Sequence, residues 1–298
     1  MVAVAMPMVF VVLWSTGFVG ARLGLPYSEP MTFLALRFGV VAIVFAAIIP
    51  ILGAPWPTRK QWREQAEIGL FNHVIYLGGV FVSIELGLEA GLSAVIVGLQ
   101  PITIALGASL LLGERLSPAQ WVGMALGFGG VLLIVSRKLD AGVGDLASIG
   151  FSFLALAGIA WGSVLQKRRS GSMPMLTGNM VQFTFAAIVC TLLAFTFETR
   201  QIDWTPEFWI ALIWSIVILS FGALTLYYLL IRRGAASRVA SLFFLVPPCT
   251  AIFAWFLFDE RLGGLEIIGM FAAAIGVLVV LKAPIAHQGQ PHQDERQG

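Results

Sequence analysis

Two stretches of the chain, LQPITIALGASLLLGERLSPAQWVGMALGFGGVLLIV at Leu99–Val135 and LVPPCTAIFAWFLFDERLGGLEIIGMFAAAIGVLVVL at Leu245–Leu281, read as one segment written twice. A shift of 146 residues superposes them without a gap, and thirteen of the 37 positions are identical. Two unrelated apolar helices would share some Leu and Ala. They would not place Pro101 on Pro247, Glu114-Arg115-Leu116 on Glu260-Arg261-Leu262, Gly123 on Gly269 and Gly130 on Gly276 in one register. The sequence therefore predicts a duplication, with a first half at 1–146, a second at 147–283 and a tail at 284–298. The tail is rich in Gln, His and charge and is expected to be disordered.

The rest of the chain has the composition of those two stretches. Hydrophobic residues make up 58% and charged residues 11% of 298 positions, and the mean hydropathy is +0.90. A soluble domain carries about 25% charged residues. A hydrocarbon core about 30 Å thick takes about 20 apolar residues per helical crossing. Ten crossings use about 200 residues at that length, which leaves only short connections. The predicted fold class is all-α integral membrane, with ten transmembrane helices near 3–21, 31–53, 66–87, 91–113, 119–135, 147–165, 176–197, 208–231, 237–258 and 263–281. The first segment lacks a basic n-region and a small-residue cleavage site, so it is expected to be a retained helix.

Five helices per half is an odd number, so the second half is expected to enter the bilayer upside down. The Gly113-Glu114-Arg115-Leu116 turn then faces the cytoplasm and Asp259-Glu260-Arg261-Leu262 the outer side. Ten crossings put twelve of the 18 Lys and Arg residues on the face that holds both termini. Basic residues near helix ends are retained in the cytoplasm, which predicts a multi-pass protein of the cell inner (cytoplasmic) membrane with both termini inside. Inverted repeats are the architecture of secondary transporters, with a substrate site near the midplane between the halves.

Other function classes find little support. A net charge of +2, with basic residues at segment ends, offers no stripe for nucleic acid. Cys190 and Cys249 lie in apolar runs, where a thiol acts as a small hydrophobe, so no disulfide, metal or cofactor is expected. No H-E-x-x-H, G-x-S-x-G or pair of intramembrane aspartates is present to supply enzyme chemistry. No charged ring or filter-like segment points to a channel.

Polar and large aromatic groups inside a membrane are costly unless they meet a cavity or a partner, so they form the candidate substrate site. Trp14 with Ser15, and Trp161 with Ser163, occupy matching places in helices one and six; lining a cavity and packing on a neighbouring helix both satisfy an indole N–H. Helix three carries Asn72, His73 and Tyr76 along one face, and helix four carries Gln100. Tyr227, Tyr228, Asn179 and Gln182 fall nearer helix ends. Pro101, Pro247 and Pro248 remove backbone donors and are read as hinges, either static kinks or gating bends. Arg37 is expected to pair with Glu85, Glu89 or a carbonyl rather than with substrate. Gly123-x-x-x-Gly127 and Gly269-x-x-x-Ala273 suit either a homodimer or packing within one chain.

Trp14-Ser15, Leu36-Arg37-Phe38, Gln100-Pro101, Gly113-Glu114-Arg115-Leu116 and Pro247 with Asp259-Glu260-Arg261-Leu262 together resemble the drug/metabolite transporter superfamily in its ten-helix EamA-like branch. Within that branch the sequence is most similar to bacterial exporters of aromatic and other neutral amino acids. The resemblance implies amino acid export by alternating access, with a multidrug or other small-metabolite exporter of the same superfamily as the alternative. Its partners would be a small-molecule substrate and the lipid bilayer.

Overall fold

The computed structural model describes residues 2–88, 93, 96–112, 116–135, 146–169, 174–234, 236–246, 248, 249, 252, 253 and 264–283. Among these residues the backbone is helical nearly throughout, and its one β-bridge joins Ser28 to Ile202. The helices are, in chain order, α1 (Val2–Gly24), α2 (Pro30–Ile51), α3 (Arg59–Glu85), α4 (Gln100–Leu112) and α5 (Pro118–Val135). They continue with α6 (Leu146–Arg168), α7 (Met175–Phe197), α8 (Pro206–Arg233), α9 (Ala236–Ser241) and α10 (Gly264–Lys282). Among the described residues five helices, α2, α3, α6, α7 and α8, are long and apolar enough to cross a membrane. Large apolar side chains cover the outside of the bundle, with Ile43 70% and Phe195 68% exposed, a surface suited to lipid rather than water.

Local sequence sets the helix starts. Thr58 accepts the N–H of Gln61 at 3.3 Å while Gln61 Oε1 accepts the N–H of Thr58 at 2.9 Å, a capping box that begins α3 at Arg59, ahead of its first apolar run. Thr205 caps α8 in the same way, accepting from Phe208 N at 3.2 Å ahead of Pro206. Both helices then widen into π turns, at Leu70–Ile75 and at Ser215–Ala223. Such turns cost regular hydrogen bonding and occur often at functional sites.

The most extensive helix pairings are α5 with α10 and α2 with α7. A Cβ on Gly123 would lie 2.7 Å from Gly276 O, and one on Gly130 would lie 2.5 Å from Gly269 O. One on Gly276 would meet Gly127 N at 2.5 Å, and one on Gly130 would meet Ala273 N at 2.6 Å. Under the 146-residue shift each contact is another with its partners exchanged, and the order of contacts makes the two helices antiparallel. The small-residue spacing is thus occupied within one chain.

α2 and α7 are also antiparallel. At one end Glu198, at the close of α7, accepts the N–H groups of Met31 and Thr32 at 2.6 and 2.7 Å. Further along, Phe38 and Phe45 pack on Phe183. Glu29 returns the favour at that end, accepting from Thr199 N at 3.1 Å and Arg200 N at 2.8 Å, while Asp203 N donates to Tyr27 O at 2.9 Å. At the opposite end Arg169 pairs with Glu67 at 2.7 Å and Thr177 donates to Pro55 O at 3.0 Å. α3 and α8 therefore begin at opposite ends of the bundle.

Two expected helices differ. Ile96 and Val97 are helical, Gly98 and Leu99 turn, and α4 begins at Gln100. Pro101 accordingly sits in a first turn, where its missing donor costs nothing, instead of bending the middle of a helix. In the matching place after α9, Leu242–Leu245 tighten into a 3₁₀ turn ahead of buried Pro248. Pro247, the Glu114-Arg115 and Glu260-Arg261 turns, and the tail lie outside the described residues.

Candidate functional site

The π turns and the meeting of α1, α2, α3 and α8 leave a cleft of about 590 Å³, open mouth included. Its walls are Trp14, Gly17 and Ala21 of α1, Tyr76, Leu77, Val80 and Phe81 of α3, and Leu219 and Leu224 of α8, with Arg37 reaching in from α2. It lies toward the end of the bundle where Glu29 and Glu198 join the α1–α2 and α7–α8 connections.

Trp14 forms its aromatic wall. The indole packs on Phe10, Tyr227 and Phe243 with ring centroids 5.4, 5.5 and 5.2 Å apart. Tyr76 is buried, and its hydroxyl has the Trp14 indole and the Arg37 guanidinium as polar neighbours. Arg37 Nε donates to Ser220 Oγ at 3.0 Å, and among the described residues it pairs with neither Glu85 nor a carbonyl; Glu89 lies outside them. Ser220 is presented by the π turn of α8 and itself donates to Ser215 O at 3.1 Å. Glu85 instead has Glu29 and Glu198 as its electrostatic neighbours.

Below the cleft, toward the starts of α3 and α7, polar side chains close the bundle. Gln182 Nε2 donates to Gln65 Oε1 at 2.7 Å and to Gln166 Oε1 at 3.0 Å, and Gln182 Oε1 accepts from Tyr228 at 2.8 Å. The Tyr228 hydroxyl accepts from Asn72 Nδ2 at 3.3 Å, and Tyr227 shares a short hydrogen bond with Ser163. All of these side chains are buried. Gln182 uses both amide protons and its carbonyl, so one residue ties α3, α6, α7 and α8 together. The hub amide of Gln182 is fully satisfied, whereas Asn72 Oδ1 has no partner among the described residues; stripping partners from such a buried network is costly.

The predicted site residues divide between these two layers and elsewhere. Trp14 and Tyr76 line the cleft, and Tyr227, Tyr228 and Ser163 belong to the layer below. His73 is fully buried, stacked on Phe183 at 4.5 Å, and neither ring nitrogen meets full hydrogen-bond geometry with a described residue. Gln100 is buried at the start of α4 with Oε1 unpartnered among the described residues. Ser15 turns from the cleft to donate to Val11 O at 2.7 Å and Val246 O at 3.3 Å. Trp161 stands apart, 44% exposed on the outside of the bundle and touching Phe71 at 6.3 Å. From sequence Arg37 was assigned a carboxylate or carbonyl partner rather than a place in the site, and the hub position of Gln182 was not singled out. For Arg37 a signal existed, a permanent charge inside an apolar helix.

Comparison with known proteins identifies the class. A family model described as "EamA-like transporter family" matches residues 1–136 and 148–282, and the chain belongs to that family of membrane transporters. It is therefore a multi-pass membrane protein. A "Probable amino-acid metabolite efflux pump" of Escherichia coli (strain K12) is 29% identical over 287 residues, covering 90% of this chain and 91% of that protein. The "Uncharacterized transporter YvbV" of Bacillus subtilis (strain 168) is 27% identical over 85% of this chain and 82% of its own length. A solved structure titled "Crystal structure of protein" matches with a TM-score of 0.76 at 20% identity, covering 92% of this chain and 94% of that one, a likeness of fold.

Proposed function

We propose that the chain is a secondary transporter exporting aromatic and other neutral amino acids across the cytoplasmic membrane, by alternating access between two inverted five-helix halves at 1–146 and 147–283. The observation that carries this is the aromatic-walled cleft closed on one side by the Gln182 network, in a chain related over 90% of its length to an amino-acid metabolite efflux pump. The exchanged glycine contacts between α5 and α10, and the opposite starts of α3 and α8, support the inverted arrangement. With both termini in the cytoplasm, the cleft opens outward and the network is the closed inner gate. Transport reverses that arrangement, opening the network layer to the cytoplasm as the cleft closes.

Among the described residues the cleft walls have no polar side chain apart from Arg37, Tyr76 and the Trp14 indole, and this favours a second reading, a multidrug or small-metabolite exporter of the same family. Uptake of labelled amino acids into proteoliposomes, with and without pH or sodium gradients, separates the two. Saturable transport of phenylalanine or leucine is expected. Transport of organic cations without amino acids would favour the second reading.

A further inference from the structure

We propose that Arg37 is the receptor for the substrate's carboxylate, which makes the cleft selective for apolar monocarboxylates whether or not they carry an amino group. The proposal rests on the cleft being the transport site. Arg37 lies seven residues beyond Pro30, so about 10 Å along α2 from its start. It is 5% exposed. A guanidinium stays charged at any physiological pH, and at such a depth a charge without a counter-charge is costly.

Among the described residues no carboxylate pairs with Arg37, and its one side-chain hydrogen bond there uses Nε. The Tyr76 hydroxyl and the Phe38 ring, the latter 5.6 Å away, are its other neighbours. Among the described residues Nη1 and Nη2 have no hydrogen-bond partner, and they form a pair of donors on a side chain that lines the cleft, the fork that binds a carboxylate through two N–H···O bonds. Ser220 fixes the fork through Nε, so little freedom is lost on binding. The walls beside it, Trp14, Leu77, Val80 and Phe81, suit an apolar side chain. Among the described residues no Asp or Glu lines the cleft to take an ammonium group. The charge pattern therefore demands an acid and is indifferent to an amine.

The test is calorimetric binding to the full-length protein in lipid nanodiscs, with L-phenylalanine, 3-phenylpropionate, L-phenylalanine amide and phenethylamine as probes. The two acids are expected to bind within about tenfold of each other, and the amide and the amine about 100-fold more weakly, the range for leaving a buried charge unpaired. Arg37→Gln should weaken both acids by about 100-fold and leave the other two unchanged; Arg37→Lys, which keeps the charge without the fork, should weaken the acids by about tenfold. If Arg37→Gln does not fold, the wild-type series still decides. Amide and amine binding as tightly as the acids would overturn the proposal, as would rejection of phenylpropionate while phenylalanine binds, and both results leave the amino acid reading standing. Phenylpropionate bound through Arg37 with phenylalanine rejected would uphold the proposal and remove that reading. Binding of none of the four would remove both.

Discussion

Trp14 and Gln182 carry opposite kinds of prediction. Trp14 makes three ring contacts and faces the cleft, and an aromatic pair contributes about 0.5–1.5 kcal/mol beyond its buried area. Trp14→Ala is expected to weaken aromatic substrates about tenfold more than aliphatic ones, read by competition against labelled leucine. Equal loss for both would make Trp14 a packing residue. Gln182→Leu leaves Gln65, Gln166 and Tyr228 without their shared partner, at about 1–3 kcal/mol for each stranded group. A lowered melting temperature follows, with substrate affinity in the cleft kept. Trp161→Ala, on the lipid-facing side, should retain transport; its loss would place Trp161 in the path.

At the scale of the elements, α5 and α10 touch backbone to backbone. Gly130→Val drives new atoms into Gly269 O and Ala273 N, which cannot move as a side-chain end would. Overpacking of this kind costs about 1–3 kcal/mol or more. Gly276→Val should cost a similar amount by the exchanged contact, whereas Gly129→Ala, with nothing within 4 Å, should leave the melting temperature unchanged. The clasp between the α1–α2 and α7–α8 connections depends on pH. Slight desolvation opposes it, but the N–H and hydroxyl of Thr199 and the N–H and charge of Arg200 hold the Glu29 carboxyl below its ordinary 4.5. A depressed carboxyl stabilises the fold above its unfolded pKa, and that stabilisation is lost as pH falls through the lower folded value. Thermal stability should therefore drop below about pH 4.5, and Glu29→Gln should flatten part of that drop.

For the whole molecule, apolar length made α2 and α7 legible almost to the residue, since uninterrupted runs end at Pro30 and Pro174. α3 was harder: it starts in polar sequence, and its signal was the Thr58–Gln61 capping box rather than hydropathy. The repeat predicted equal surroundings for Trp14 and Trp161, yet the first is enclosed by rings and the second faces outward. Sequence symmetry fixes helix order, but side-chain environment depends on which neighbours each half supplies. Arg37 was assigned Glu85, Glu89 or a carbonyl as partner, and only the fold shows that the charged neighbours of Glu85 are Glu29 and Glu198.

The central claim is that the equivalent helices α3 and α8 enter the bilayer from opposite faces. Replacing Cys190 and Cys249, then adding Lys60→Cys or Gln201→Cys singly, permits labelling of intact cells with a membrane-impermeant thiol reagent. The position at 201 should label from outside and the position at 60 only after the membrane is opened; labelling of both from one side would contradict the inverted architecture.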